Sequence, residues 1–184
     1  MKERRYKEDY ALEEYIDERG REKRRAVYRG PYFTMDAQKR SAFLKAALPC
    51  AALFAASYLF YMKLSTPSAY CMYVLPIAAC AVIPYLYWAM GLYTLFRAPL
   101  RMTRLQRETG AGRVLRSAAA CMFFLGAACA GDLIYMAVSL GSGFVRELPG
   151  FALLLGAASC AAFCFKRAKE FFAEIRTDSQ ERTA

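Results

Sequence analysis

Histidine is absent from this sequence of 184 residues, and that absence removes several kinds of functional site at once. Histidine is the usual general base near neutral pH and the most common metal ligand, so a zinc site here would need cysteine thiolates alone. The seven cysteines include no Cys-x-x-Cys pair, the spacing typical of thiolate metal sites and thiol oxidoreductases. We therefore expect no bound metal, no cofactor and no enzyme activity.

Charged residues are scarce within four long apolar runs, although they make up 23% of the whole chain. The mean hydropathy of +0.14 is modest only because charged segments outside the runs dilute it. About 20 helical residues cross the ~30 Å hydrocarbon core of a bilayer, and the runs approach or exceed that length. They predict an all-α, polytopic integral membrane protein whose four transmembrane helices form two antiparallel hairpins. The predicted spans cover residues 42–62, 68–96, 115–140 and 149–166.

Prolines and capping residues predict how these helices begin and bend. Asp36 is suited to cap the first helix, and Pro67 is suited to the first turn of the second. Pro49 lies inside the first run and predicts a weakened turn there. Pro76 and Pro84 predict that the second helix is bent.

The segment between the third and fourth runs is predicted to be a short outer loop. Residues 141–143, Gly-Ser-Gly, mark the end of the third helix, and the loop then carries Arg146 and Glu147. We expect the fourth helix to begin at Pro149 and to continue as a basic amphipathic helix to about Ile175.

The distribution of positive charge predicts an orientation. All but three of the 26 Lys and Arg residues lie before the first run, between the second and third runs, or after the fourth. Cytoplasmic segments of membrane proteins collect Lys and Arg, so we expect a protein of the cell membrane with both ends in the cytoplasm. The tails would be residues 1–36 and 176–184, flanking a transmembrane domain over 37–175 with a basic cytoplasmic loop over 97–114.

The basic loop and the start of the third helix carry six arginines against one acid. Such clusters beside membrane helices attract anionic lipid headgroups, so we expect contacts with lipid or with a partner. A short helix between Pro99 and Gly110 would lie in the headgroup plane. Nucleic acid is not an expected partner, because the tails carry many acids as well. The six candidate contact residues are Arg97, Arg101, Arg104, Arg107, Arg113 and Arg116.

The amino-terminal tail contains two short stretches with strand-forming residues. They lie around Tyr15-Ile16 and around residues 26–28, Ala-Val-Tyr, with a polar segment between them. This pattern predicts a small β-hairpin. A helix from Glu8 to Arg25 is the alternative, because the first stretch also contains residues without strong strand preference.

Asp132 is the only acid inside an apolar run. A charged group at membrane depth costs about 2.5–3.5 kcal/mol on insertion scales, so it marks a candidate functional residue. At 1.5 Å per residue it lies ~24 Å from Arg116, within the outer third of the hydrocarbon core. There it would reach Lys63, Arg146 or tyrosine hydroxyls. It is either a structural carboxyl, a contact for an ion, proton or substrate, or part of an oligomer contact.

Small residues recur at helical spacing in the first, third and fourth runs, which allows helices to approach closely. They predict packing within the bundle, or an interface with a second subunit. With no catalytic set, we expect a small non-enzymatic accessory or scaffolding subunit that acts through helix faces and cytoplasmic tails, bound to a membrane-protein partner or to copies of itself. The alternative is an oligomeric channel or transporter that uses Asp132.

Overall fold

The computed structural model of the chain describes residues 9–16, 21–64, 66–71, 73–138 and 143–177. Four helical stretches in this part of the chain are long and apolar enough to cross a membrane, with mean hydropathies of 1.6 to 1.9 over their most apolar windows. Each of them contains most of one predicted span. The helices are α1 (Ala37–Lys63), α2 (Val74–Ala79), α3 (Val82–Arg97), α4 (Arg104–Thr109), α5 (Ala111–Val138) and α6 (Gly143–Glu174).

The amino-terminal hairpin is confirmed, and the alternative helix is wrong. Strand β1 (Tyr10–Ile16) pairs with β2 (Glu22–Tyr28) in an antiparallel register that runs from Tyr10 opposite Tyr28 to Ile16 opposite Glu22. Ion pairs between Glu14 and Arg24 and between Glu13 and Arg29 cross the hairpin at 2.9 and 2.8 Å. Opposite charges on neighbouring strands, together with β-branched and aromatic residues, favour the paired strands over a helix.

A second small sheet, which the sequence did not predict, closes one end of the bundle. Its central strand β3 (Phe33–Thr34) pairs with β4 (Arg101–Met102) and with β5 (Arg176–Thr177). Residues from the amino-terminal segment, the basic loop and the carboxy-terminal segment therefore meet at the same end. We call this end, which carries both sheets and α4, the basic end. The charge distribution predicted that these three segments share one side, and the pairing agrees.

The four long helices pack in an order that corrects the predicted pair of hairpins. Helix α6 packs along both α1 and α5, and α3 packs along α5. The second predicted hairpin, α5 with α6, is thus confirmed. The first is not closely packed, because α1 and α3 meet mainly through aromatic rings such as Phe54 on Tyr85, with centroids 4.8 Å apart. A groove of about 470 Å³ lies between these two helices.

Helix starts and bends follow the predicted residues. The Asp36 side chain accepts a hydrogen bond from the Gln38 amide at 2.9 Å and so caps α1, while Pro49 lies inside α1 without ending it. The second span is broken between α2 and α3, where Pro84 has no N–H to donate to the Cys80 carbonyl. The predicted bend is therefore an irregular turn at Cys80 and Ala81, whose backbones remain helical, within one span over Val74–Arg97.

Helix α6 begins earlier than predicted. Its first residue is Gly143, so Pro149 lies inside the helix and Glu147 belongs to its second turn rather than to an outer loop. Pro149 lies beyond the first turn of α6, where backbone N–H groups have intrahelical partners. Because proline has no N–H, one hydrogen bond of the helix is missing at this position. The helix ends at Glu174, close to the predicted end. Predictions that concern residues 1–8, 17–20, 65, 72, 139–142 and 178–184 lie outside the described residues.

Candidate functional site

Five polar side chains meet at the end of the bundle opposite the basic end. They come from the carboxy-terminal turn of α1, the short 3₁₀ turn Pro67–Tyr70 with its preceding residue, the last third of α5 and the first turns of α6. Asp132 and Glu147 are both 0% exposed, and the other three are at most 2% exposed. We call this group the polar cluster. Its members are Tyr61, Thr66, Ser68, Asp132 and Glu147.

Glu147 is held by the 3₁₀ turn. Its carboxylate oxygens accept hydrogen bonds from the Ser68 backbone N–H and from the Ser68 hydroxyl, both at 2.7 Å. These short bonds have the length of charge-assisted hydrogen bonds and stabilise an ionised carboxylate. The Thr66 hydroxyl lies 3.3 Å from the Ser68 hydroxyl and extends the chain of hydroxyl groups.

A glycine allows the turn to reach α6. A Cβ atom at Gly150 would stand 2.8 Å from the Thr66 Cγ2 atom, a distance that real side chains do not adopt. The absence of a side chain at this position therefore lets Thr66 and Ser68 approach the helix closely enough for Ser68 to bond Glu147. Gly150 is part of the site because of this contact, although it carries no functional group.

Asp132 has no hydrogen-bond partner in the described part of the chain. Both of its carboxyl oxygens are buried and lack a partner of good hydrogen-bond geometry, although the Ser68 hydroxyl lies nearby and Glu147 is its charged neighbour. The hydroxyl of Tyr61 is also buried and unpaired, and it lies within electrostatic range of both carboxyls. The sequence predicted that Asp132 could reach a tyrosine hydroxyl, and Tyr61 lies within electrostatic range of it.

The expected cations do not pair with the buried acids. Lys63 and Arg146 are both exposed, and neither makes an ion pair with Asp132 or Glu147 among the residues that the structure describes. Of the three predicted kinds of neighbour for Asp132, namely Lys63, Arg146 or a tyrosine hydroxyl, the tyrosine is the one that lies near it here. The cluster brings two carboxyls together with hydroxyl groups and no described cation, which makes it an acceptor of positive charge.

Glu147 was missed as a site residue because its neighbours resemble a loop. Arg146 and Pro149 flank it, and the proline suggested that the helix begins there. The signal that identifies it is the spacing of the buried face of α6. Counting back from buried Leu154 by four and then three residues gives Gly150 and Glu147, both of which are buried.

The six predicted contact arginines all interact within the chain at or near the basic end. Arg107 is inserted between two aromatic rings, 4.6 Å from the centroid of Phe33 and 4.1 Å from that of Phe172. Arg104 pairs with Glu108 at 3.8 Å within α4. The remaining four stack on tyrosines or bond the backbone: Arg97 on Tyr93, Arg101 on Tyr32, Arg113 on Tyr87, and Arg116 to the Gly112 carbonyl.

Two of these arginines also line a small pocket. Its volume is about 190 Å³, and it lies where α4 meets the start of α5 and the side of α3. The pocket combines two guanidinium groups with hydroxyl groups and one carboxylate, so its net charge is positive although it contains groups of both signs. The lining residues are Tyr87, Leu105, Glu108, Thr109, Arg113, Arg116 and Ser117.

Helix α4 is the predicted short helix between Pro99 and Gly110. It spans Arg104–Thr109 and starts with a reciprocal cap, in which the Thr103 hydroxyl accepts from the Gln106 amide while the Gln106 side chain accepts from the Thr103 amide. This capping box fixes the position of the arginine-bearing helix beside the second sheet.

The hairpin is attached to this same end through Tyr28. Its hydroxyl accepts a hydrogen bond from the Arg104 backbone N–H at 3.1 Å and donates one to the Pro31 carbonyl at 2.9 Å. Its ring packs edge-on against Tyr10 and Tyr32, with centroids 5.2 and 5.1 Å apart. Burial raises the pKa of the Tyr28 phenol, and the N–H of Arg104 opposes part of that increase.

The cysteines form no disulfide and no metal site among the described residues. All seven are free thiols, and no group of three or more His, Cys, Asp or Glu side chains in the described part of the chain is arranged to hold a metal ion. Comparison with known proteins adds no further site. No protein-family model matches the sequence, and neither a curated protein nor a solved structure shows significant similarity to it.

Proposed function

We propose that the protein is a multi-pass protein of the cell membrane that crosses the bilayer four times. The lengths and hydropathies of the four helical stretches support this, because each exceeds what the hydrocarbon core requires. Large apolar side chains also point away from the bundle on all four stretches. Examples are Phe60 on α1, Ile83 on α3, Phe123 on α5 and Leu155 on α6, which are exposed in the isolated chain.

We propose that the basic end faces the cytoplasm and the polar cluster faces the opposite side. The positive-inside rule supports this orientation, since almost all Lys and Arg residues lie toward the basic end. The test uses single cysteines, Arg24→Cys or Arg146→Cys, in a background with the native cysteines replaced by alanine. A membrane-impermeant maleimide added to intact cells should label Arg146→Cys, and should label Arg24→Cys only after lysis. The reverse pattern would overturn the orientation.

We propose that the protein is a non-enzymatic accessory or scaffolding subunit that binds a membrane-protein partner through the amino-terminal hairpin and its helix faces. The observation that carries this proposal is the exposure of an ordered, anchored hairpin. Leu12 and Ile16, two residues of the same strand face, are 71% and 73% exposed. The two strands pair only with each other in the described chain, so each leaves an outer edge free for strand addition.

The hairpin is positioned for recognition because its attachment is specific. Isolated two-stranded hairpins are marginally stable in water, so the contacts of Tyr28 with the loop before α4 support this one. A hairpin fixed in this way presents its apolar face at a defined place beside the bundle. Fixing the element before binding lowers the entropy that a partner must overcome.

The test is co-purification of the full chain from native membranes in a mild detergent, with the composition measured by mass spectrometry. A stoichiometric membrane partner is expected with the wild type and should be lost from Leu12→Asp/Ile16→Asp. Arg25→Gln, on the opposite face of the hairpin, is the matched control and should retain it. A monomer without a partner, or a partner equally bound by all three proteins, would contradict the role of the hairpin.

A second candidate function is an oligomeric channel or transporter that uses Asp132. The unpaired, buried carboxyl of Asp132 favours it, because ionisable groups at membrane depth often mark ion or proton pathways. Four helices with short connections leave little room for a central pore, so this function requires several copies. Purified protein in liposomes should carry an ion or proton flux that Asp132→Asn abolishes. An unchanged flux in that variant would exclude the role of Asp132.

A further inference from the structure

The polar cluster contains more negative charge than its described surroundings neutralise. Two carboxyls lie in one buried site, and both are inaccessible to solvent. An ionised carboxylate moved from water into a protein interior loses several kcal/mol of solvation, which only donors or cations restore. Two neighbouring carboxylates add mutual repulsion, so such pairs commonly retain a proton between them.

The hydrogen bonds distinguish the two acids. Glu147 accepts two short bonds from Ser68 and is therefore stabilised as an anion. Neither oxygen of Asp132 has a hydrogen-bond partner of good geometry among the described residues, and the nearby Ser68 hydroxyl already donates to Glu147, so the ionised form of Asp132 has little to replace water. We propose that Asp132 and Glu147 form a proton-binding pair, which holds one shared proton at neutral pH with that proton on Asp132. This inference concerns the site itself and depends on neither a partner nor transport.

Tyr61 provides an independent indication that the charge of the pair changes. Its hydroxyl is buried and has no hydrogen-bond partner among the described residues, while its ring is 1% exposed. The two carboxyls are the first electrostatic neighbours of that hydroxyl. An unpaired buried hydroxyl costs about 1–3 kcal/mol, and a small movement that brings it to a carboxylate would remove that cost. Tyr61 is thus placed to donate to the pair when the pair is fully ionised.

A short chain of buried hydroxyl groups leads to the pair. Thr66 lies 3.3 Å from Ser68, and Ser68 lies 2.7 Å from Glu147. A proton can move along such a chain as each hydroxyl donates its own proton and accepts another. The Ser68 hydroxyl then transfers a proton to Glu147 and receives one from the Thr66 side. A hydronium ion that reaches Thr66 supplies the proton and leaves as water, so the pair gains one proton and both hydroxyl groups are restored.

The groups around the pair leave its charge uncompensated in the described chain. On α1 the titratable neighbour is Tyr61, with Tyr58 one turn behind it; before α2 it is Tyr73; on α5 it is Cys129. None of these side chains carries a positive charge. Lys63 on α1 and Arg146 on α6 are exposed and unpaired with the acids.

A proton suits this site better than a metal ion does. Calcium and magnesium need about six or more oxygen ligands, so nearly every carboxyl and hydroxyl oxygen of the cluster would have to turn toward one ion. Both oxygens of Glu147 already accept hydrogen bonds from Ser68, which leaves few free lone pairs. A proton needs neither a cavity nor several ligands. It is therefore the positive charge that these groups accommodate with the fewest changes.

The test is infrared spectroscopy of the purified full-length protein in a detergent without ester groups. A protonated carboxyl gives a C=O band separate from the amide bands. We expect this band in the wild type at neutral pH, its loss in Asp132→Asn at every pH, and its retention over a lower pH range in Glu147→Gln. Glu170→Gln, which removes an exposed acid from α6, is the matched control and should leave the band unchanged.

A pH titration of the same band tests the coupling between the two acids. In Glu147→Gln the like charge is gone, so the band should disappear at a lower pH than in the wild type if Glu147 repels a charge on Asp132. Equal midpoints in the wild type and Glu147→Gln would overturn the shared proton, as would a wild type without the band at neutral pH. Exchanging sodium for choline should have no effect, and a sodium-dependent loss of the band would assign a metal cation instead. These readouts remain available if Asp132→Asn fails to fold.

Discussion

Helix α3 approaches α5 closely at Gly91, and this contact gives a quantitative prediction. A Cβ atom at this position would stand 2.8 Å from the Val114 Cγ2 atom, 3.1 Å from the Val114 backbone nitrogen and 3.3 Å from the Gly110 carbonyl oxygen. Val114 is fully buried and two of the three atoms belong to the backbone, so the neighbours cannot simply rotate away. Gly91→Ala therefore forces the two helices apart.

The size of the effect follows from two opposing contributions. Replacing glycine by alanine inside a helix is worth about 0.8–1.0 kcal/mol in favour of alanine. Overpacking of a dense interior costs about 1–3 kcal/mol. Gly91→Ala should therefore lie between no change and a loss of about 2 kcal/mol in the free energy of unfolding. Gly126, on α5, has no atom within 4 Å of its built Cβ atom, so Gly126→Ala should show the favourable contribution alone.

The measurement is the free energy of unfolding in detergent micelles for the wild type and the two variants. Gly126→Ala removes the helix-propensity contribution from the comparison, so the difference between the two variants reports the helix contact itself, at about 1–3 kcal/mol. Gly91→Ala/Val114→Ala should recover part of the loss, with a coupling above about 0.5 kcal/mol. Equal shifts in the two glycine variants would refute the close approach of α3 and α5.

Three further results are expected. Glu147→Ala should lower the free energy of unfolding by about 1–3 kcal/mol for each buried Ser68 donor that it leaves unpaired, whereas Glu147→Gln should cost less; equal losses would contradict the hydrogen bonds to Ser68. The attachment of the hairpin should weaken at alkaline pH, because folding raises the pKa of Tyr28 and so favours its neutral form. The stability that Tyr28 contributes is complete below pH ~10 and is lost as the pH rises through the folded-state pKa. A spin label on β2 should become more mobile as the pH rises. In Tyr28→Phe the label should be equally mobile at neutral pH, and its mobility should not change with pH. Arg113→Gln/Arg116→Gln should weaken the retention of anionic lipid, measured by native mass spectrometry, by about 1 kcal/mol per residue, while the same change at Arg146 should not.

The long helices and the hairpin were predictable from the sequence because their signals are local. Each span appears as a nearly uncharged run, and Asp36 and Pro84 act on the backbone within one turn of their own positions. The hairpin follows from two short stretches separated by polar residues. These features need no knowledge of which helix lies beside which.

The polar cluster and the second sheet were not predictable, since both depend on contacts between distant segments. Glu147 bonds Ser68 although 79 positions separate them in the chain. The strands β3, β4 and β5 have two residues each, which is too short for an alternating pattern. Asp132 was identified from its unusual position in an apolar run, but its companion acid was hidden by Pro149. Helix-face periodicity, extended through that proline, is the signal that would have found it.

The second sheet also imposes an order on the assembly of the chain. Strand β5 follows all four long helices, so it can join β3 only after every helix has been synthesised and its neighbours have been brought to the same end. Closing a loop of that length is entropically costly, and two short strand pairs recover little on their own. The sheet therefore forms late and reports a completed bundle. Chains in which the last helix is missing or misplaced would leave one edge of β3 exposed. Exposed strand edges pair with other chains and promote aggregation.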